Sequence, residues 1–241
     1  MNNSNAFDDK ISYLIVDTQN HKLAQAALSH SQTVFPLRRS VVFSDRSYGW
    51  ECSDFIKIKP IENIRDYSKF ILEDAWKFVA TEYFIVIQYD GFVLNGSCFC
   101  ESFLNYDYIG ATWPHFETYN VGNGGFSLRS VHLMQKLQQY LKYENYNVAE
   151  DLLVCRKHRP LLEKYDKIKF APVSIANRFS QELVFSKMKT FGFHGYALLP
   201  IVYRGNLEFL FRNMPVINNL NKLNEFKAGC NAVSQSQNSI L

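Results

Sequence analysis

The chain predicts an α/β protein, a single domain with a central, mostly parallel sheet flanked by helices. Three observations carry that expectation. Ile11–Val16 is a continuous apolar run closed by Asp17-Thr18, as in a strand buried on both faces. Through residue 88 the order is strand, helix, strand, helix, strand, the signature of crossover helices. Three of those strands end on or near a carboxylate, at Asp17, Asp45 and Asp90, where open α/β sheets bind ligands.

The elements follow in order. Met1–Lys10 reads as an N-terminal extension, and the domain spans 11–215. After the first strand, His21–His30 places Leu23, Ala26, Ala27 and His30 at helical spacing. Ser40–Phe43 is a second strand, and Phe55–Ile58 alternates apolar and basic residues like an edge strand. Arg65–Thr81 predicts one helix with Tyr67, Phe70, Ile71, Ala75, Phe78 and Val79 on its apolar face. Tyr83–Gln88 returns as a strand, and Phe92–Leu94 continues past Asp90. Cys98–Asn105 reads as a short helix, Asp107–Ala111 and Gly125–Leu128 as strands, and Ser130–Tyr140 as a helix. Ala149–His158 begins with Glu150-Asp151, acids that favour a helix N-terminus. Beyond Pro160, Phe170–Ile175 and Glu182–Phe185 read as strands, Thr190–Gly195 as a turn and Gly205–Asn213 as a short helix. Residues 216–241, rich in Asn, Ser and Gln, are expected to be a flexible tail.

Composition narrows the function classes. Apolar residues make up 47% of 241, enough for a sizeable core, and 20 Phe with 14 Tyr make that core ring-rich. A net charge of only +3 argues against nucleic acid as a partner. The pI near 8.5 suits peripheral association with an anionic membrane face. The five cysteines lack zinc-knuckle spacing and read as reduced thiols of a cytoplasmic protein. The N-terminus shows no signal-peptide pattern, and no apolar run is long enough to span a bilayer.

Candidate site residues fall into a few motifs. Asp90 closes a buried strand and could hold a divalent ion against a diphosphate, although Asp-Gly is also an ordinary turn. Gly122–Gly125 holds three glycines in four residues; it could bring a sugar or phosphate against backbone N–H groups, with Asn123 and Ser127 as partners, or form a strand-entry bulge. Glu150-Asp151 could supply a general base or merely balance a helix dipole. His194, between Gly192 and Gly195, is a candidate metal or phosphate ligand. Asp17 and Asp45 could meet a nucleoside, and Lys69 sits on the polar side of its helix. Trp113-Pro114-His115-Phe116 could stack on a sugar or anchor a loop.

The order of these pieces is more specific than any one of them. Gln88-Tyr89-Asp90, Asp107–Trp113, Val121–Arg129 (Val-Gly-Asn-Gly-Gly-Phe-Ser-Leu-Arg), Glu150-Asp151 and Phe191–Gly195 together resemble a poorly characterised family of glycosyltransferase-like domains of unknown function. Asp66–Lys69 and Trp76 fit the same pattern, and the match runs from about Ile11 to Leu199. That family is similar to glycosyltransferases of the A-type nucleotide-sugar fold, a Rossmann-like single domain. The resemblance implies an enzyme, hexosyltransferase-like, with a nucleoside-diphosphate sugar donor and a saccharide acceptor, in glycan or surface-polysaccharide synthesis at the inner membrane face. It implies Mn²⁺ or Mg²⁺ held at an Asp-x-Asp motif. Here that segment is Gln88-Tyr89-Asp90, with only the last acid, so Asp90 and His194 are the expected metal ligands. It implies Asp151 as the base of an inverting enzyme, with Glu150 positioning the acceptor. Asp17, Asp45, Lys69, Asp90, Asn123, Gly124 and Gly125 are the expected donor-binding residues. Two alternatives are a sugar nucleotidyltransferase, disfavoured because Asp17–Lys22 has no glycine, and a non-catalytic glycan-binding module.

Overall fold

The computed structural model describes residues 6–47, 49–182 and 189–238, with side chains through residue 234. Its central sheet contains β1 (Ile11–Val16), β2 (Ser40–Ser44), β3 (Asp54–Lys57), β4 (Tyr83–Ile87), β6 (Tyr108–Ile109) and β7 (Ser127–Ser130), in the order β3-β2-β1-β4-β7-β6. The first four in that order are mutually parallel, and β7 runs antiparallel to both β4 and β6. A small second sheet pairs β5 (Gly91–Val93) with β9 (Gly192–His194), and β9 with β8 (Ser180–Gln181). The protein is therefore the α/β fold with a mostly parallel central sheet that the sequence predicts.

The continuous apolar runs are explained by burial on both faces. Along β1, Ile11, Tyr13 and Ile15 join one core cluster, while Leu14 and Val16 join the other. Ser12, on the second face, is tied by its hydroxyl to that of Thr81 at 2.7 Å. Helix α1 (His21–Val34) covers the first face with β5; α2 (Ile64–Glu73) and α3 (Val131–Leu141) cover the second.

Four regions before the C-terminal segment differ from the sequence expectation. The helix expected over 65–81 stops at Glu73 and resumes as a 3₁₀ turn at Ala75–Phe78. The Leu72 carbonyl, which would accept the backbone N–H of Trp76 in a continuing helix, takes the Trp76 indole N–H at 3.0 Å and the Gln138 amide at 2.8 Å instead. Residues 150–165 form α4 (Glu150–Leu152), a π-helical stretch Leu153–Lys157, and α5 (Arg159–Tyr165). The strand expected over 170–175 is instead α6 (Val173–Phe179), entered through Pro172, and the turn expected over 190–195 is the strand β9. Of the strand expected over 182–185, all but Glu182 lies outside the described residues.

After α7 (Leu199–Val202) and α8 (Leu207–Asn213), the segment expected to be a loose tail carries a helix, α9 (Leu220–Asn238). Phe226, Cys230 and Val233 fall on one helical face, and Val233 is buried. A methyl group on Gly229 would lie 2.2 Å from the Ala197 carbonyl, so glycine is what lets α9 settle onto the chain before α7. The N-terminal extension is also partly packed, because the Phe7 ring makes tilted contacts with Phe35 and Phe99. Among the described residues no helix is long and apolar enough to cross a membrane.

Candidate active site at the sheet edge

Of the expected site residues, Asp17, Asp90, Asn123, Asp151 and His194 gather where β1 and β4 end. Asp17 directly follows β1, and its Oδ1 accepts the backbone N–H groups of Gln19 and Asn20 at 2.9 and 2.6 Å, which shapes the entry to α1. Burial raises its carboxyl above the ordinary range and the charge of Asp90 adds to the effect, against the two backbone hydrogen bonds and His21. Asp17 opens onto a cleft of about 350 Å³ lined also by Gln19, Asn20, Tyr67, Gln88 and Tyr89.

Asp90 stands at the inner end of this region. Gln88 and Gly91 exchange backbone hydrogen bonds at 2.9 and 3.0 Å, so Tyr89 and Asp90 are the central residues of a tight turn between β4 and β5. The ordinary turn of the sequence reading is thus present, and Asp90 is one of its two central residues. Asp90 is only 4% exposed, and among the described residues its Oδ1 has no hydrogen-bond partner. Among the described residues its one ion-pair contact is with His194 Nε2, 3.6 Å away. The pairing of Gly91 with His194 across β5 and β9 brings the two together. A side chain on Gly91 would strike the imidazole at 2.8 Å.

His194 is surrounded by acids. Its Nδ1 lies 3.3 Å from Glu182 Oε1 and 3.0 Å from Asn123 Nδ2. Burial lowers its pKa, but the charges of Asp90, Glu182 and Asp151 outweigh burial and hold it up at about 9. Glu225, on α9, is raised above the ordinary range by its own burial and by the charge of Glu182. The α9 helix also sets Lys222 over the ring of Tyr196, whose hydroxyl is hydrogen-bonded to that of Tyr89.

The glycine turn is packed rather than open. Val121–Ser130 is buried throughout. A methyl group on Gly122 would enter the Trp113 ring at 2.0 Å, one on Gly124 would meet Glu150 Oε1 at 1.7 Å, and one on Gly125 would meet His194 Nε2 at 2.1 Å. These glycines make room for the protein's own side chains, where the sequence expectation gives the space to a ligand. Asn123 holds the left-handed conformation at φ 55°, and its Oδ1 accepts the Gly125 N–H at 3.2 Å. Trp113 is buried against the turn, which decides for the loop anchor over the sugar platform.

The two adjacent acids part company. Asp151 Oδ2 accepts the Gly124 N–H at 2.9 Å and stays partly accessible beside the turn. Glu150 points inward and meets Arg129 at 2.7 Å, with side-chain exposures of 4% and 0%. Burial raises the Glu150 carboxyl against the pull of Arg129, while the nearby carboxylate keeps the guanidinium charged in spite of its own burial. Arg129 also donates to Ser127 Oγ at 2.9 Å and to the Gly124 carbonyl at 3.1 Å. Glu150 therefore supports the turn from below, through Arg129.

Two other expected residues lie apart. Asp45 is bound to His21 Nε2 at 2.6 Å and to Arg46; burial opposes its ionisation, but His21 wins and holds its carboxyl below the ordinary range. Lys69 is exposed on α2, and among the described residues no hydrogen bond or ion pair ties it to Asp90, His194 or Asp151. Sequence reasoning gave no role to Arg129 and missed Glu182. Arginine within a run of otherwise uncharged residues between Gly124 and Val131 is a signal for a buried ion pair, and Glu150 is its partner. No sequence signal marks Glu182.

No curated protein is found to match the chain. Among solved structures it is similar to a glycosyltransferase involved in the glycosylation of the major capsid of PBCV-1, with 14% identity, a TM-score of 0.46, and coverage of 77% of this chain and 94% of that one. It is similar to the apo-form glycosyltransferase GlyE of Streptococcus pneumoniae TIGR4, with 14% identity, a TM-score of 0.42, and coverage of 87% and 52%. A third likeness is to the bifunctional IspDF of Campylobacter jejuni, with 10% identity, a TM-score of 0.39, and coverage of 61% and 47%. Residues 51–194, more than half of the chain and including Asp90, the glycine turn, Asp151 and His194, match the family described as protein of unknown function (DUF5672), and the chain belongs to that family.

Proposed function

We propose that the protein transfers a sugar from a nucleoside-diphosphate donor to a saccharide hydroxyl, with inversion at the anomeric carbon. The observation that carries this reading is the convergence of Asp90, His194 and Asp151 at the sheet edge beside the cleft entered past Asp17. The nucleoside lies in that cleft, and its diphosphate reaches Asp90 and His194. Asp151 takes the proton of the acceptor hydroxyl as its oxygen attacks the anomeric carbon, and the bond to the diphosphate oxygen breaks. The Gly124 N–H fixes the carboxylate of Asp151 for that task. Gly124, Gly125 and Asn123 act indirectly, by positioning Asp151 and His194.

The electrostatics support a divalent ion. Asp90, Glu182 and Asp151 crowd one imidazole, so an anionic diphosphate entering the bare site would be repelled. Asp90 offers an unpartnered buried oxygen and His194 a ring nitrogen, a donor set that suits Mn²⁺ or Mg²⁺. Among the described residues no group of three or more His, Cys, Asp or Glu side chains is arranged to hold an ion. Asp90 and His194 would hold it, with phosphate oxygens and water completing the site. When bound, the ion neutralises charge on the departing diphosphate.

A thermal-shift screen of nucleoside diphosphates with and without Mn²⁺, followed by product analysis with the matching sugar donor, tests the reading. The expected result is stabilisation by a nucleoside diphosphate that depends on Mn²⁺, and release of that diphosphate on turnover. Release of pyrophosphate would indicate a nucleotidyltransferase. Binding of no donor would indicate a non-catalytic glycan-binding module.

A further inference from the structure

His194 Nδ1 has two neighbours that make opposite demands. The Asn123 Oδ1 accepts the Gly125 N–H, so the amide nitrogen of Asn123 faces the ring at 3.0 Å and offers a hydrogen. Glu182 Oε1, 3.3 Å from the same nitrogen, offers a charged acceptor. Only one can be satisfied. If Asn123 donates to Nδ1, a neutral ring carries its proton on Nε2, aimed at Asp90, and an ion cannot bind there. If Nδ1–H donates to Glu182, the Nε2 lone pair faces Asp90.

We propose that Glu182 is a positioning residue for the cation site, one that takes the Nδ1–H of His194 and so frees Nε2 to join Asp90 in binding a divalent ion. This rests on the reading of Asp90 and His194 as cation ligands. A hydrogen bond to a carboxylate is stronger than one from a neutral amide, which favours Glu182 in the competition. Histidine ligands commonly donate their second ring N–H to a carboxylate, which fixes both tautomer and orientation. Glu182 Oε2 and Asp90 Oδ1 are both buried and, among the described residues, without partners, so acceptor oxygens flank the ring on both sides. Because Glu182 sits at the opposite ring nitrogen from Asp90, it serves the site without entering it. The role replaces in part what the missing first acid of Gln88-Tyr89-Asp90 would supply, through orientation of the histidine in place of a second carboxylate ligand.

Mn²⁺ alone, titrated by electron paramagnetic resonance, tests this with wild type, Glu182→Leu, His194→Ala and the double variant Asn123→Asp/Glu182→Leu, each also followed through thermal unfolding. Asp at 123 tolerates the left-handed backbone and keeps an acceptor for the Gly125 N–H. Its other oxygen gives Nδ1 a new carboxylate. The expected result is Mn²⁺ affinity about 10–100-fold weaker in Glu182→Leu, an unfolding midpoint near that of wild type, and recovery of most of the affinity in the double variant. Wild-type affinity in Glu182→Leu, alongside loss in His194→Ala, would overturn the role of Glu182 and leave the cation reading standing. Loss without recovery in the double variant would also overturn it, because a carboxylate facing Nδ1 would then not be what the site requires. If wild type and His194→Ala bind Mn²⁺ alike, or neither binds, the cation reading fails and this inference fails with it.

Discussion

Arg129 and Glu150 meet at 2.7 Å directly beneath the glycine turn, and the same guanidinium nitrogen holds the Gly124 carbonyl. The pair sits under the residue whose N–H fixes Asp151. Breaking it by Arg129→Met or Glu150→Gln leaves a buried group without its partner and is expected to cost about 3–5 kcal/mol. Urea denaturation measures the loss. Replacing both with apolar residues is expected to cost less than the sum of the two single changes.

Asp151→Asn is expected to lower kcat by about 10²–10⁴-fold, the usual contribution of a positioned base. Donor affinity is expected to stay near wild type, because the role proposed for Asp151 is toward the acceptor hydroxyl. Comparing kcat with donor Kd checks both halves; an unchanged kcat would remove Asp151 from the reaction.

Asp90→Asn should abolish diphosphate release while the fold persists. Among the described residues the buried Oδ1 of Asp90 accepts no hydrogen bond, so the amide can keep the turn, but it takes from His194 the charge that holds its proton. The outcome to look for is an inactive protein that still unfolds cooperatively, with a midpoint lowered below that of wild type.

Gly125→Ala places a methyl 2.1 Å from His194 Nε2 and 2.8 Å from Gln88 Oε1, so the ring must move off Asp90. Loss of both Mn²⁺ binding and turnover is expected. Gly205→Ala is the contrast, since nothing lies within 4 Å of its new methyl, and a stability change of no more than about 1 kcal/mol is expected. Mn²⁺ titration and thermal unfolding of the two variants separate the cases.

His194 titrates at about 9 in the folded, ion-free protein, above the ordinary histidine value of 6.5. The folded state then binds this proton more tightly than the unfolded chain does. Its contribution to stability is fully present below pH about 6.5 and fades as pH rises through about 9. Denaturation midpoints across that window are expected to fall with pH in wild type and to fall less in His194→Gln.

Much of the fold was legible because burial on both faces writes itself into β1, β2 and β4 as unbroken apolar runs. The break in the helix at Leu72 was not, since it depends on Gln138 arriving from α3. Helix α9 was hidden by its Asn, Ser and Gln content, which lowers the contrast between its faces, and only Phe226, Cys230 and Val233 mark the buried side. At the site, motif order pointed to Asp90, His194 and Asp151. It gave no hint that Glu150 turns inward, because adjacent acids look alike until their partners are known. Glu182 has no motif at all, since its relation to His194 exists only through the pairing of β8 with β9.

The joining of Asp90 to His194 by the β5–β9 pairing also orders events in time. The parallel strands and α1 lie within the first half of the chain, whereas β9 closes a long loop back to β5, a step with a large entropic barrier. A refolding chain can therefore regain its helices and its central sheet before it has a site. In stopped-flow refolding, recovery of Mn²⁺ binding should trail recovery of the far-ultraviolet signal, with the lag set by arrival of the late strand.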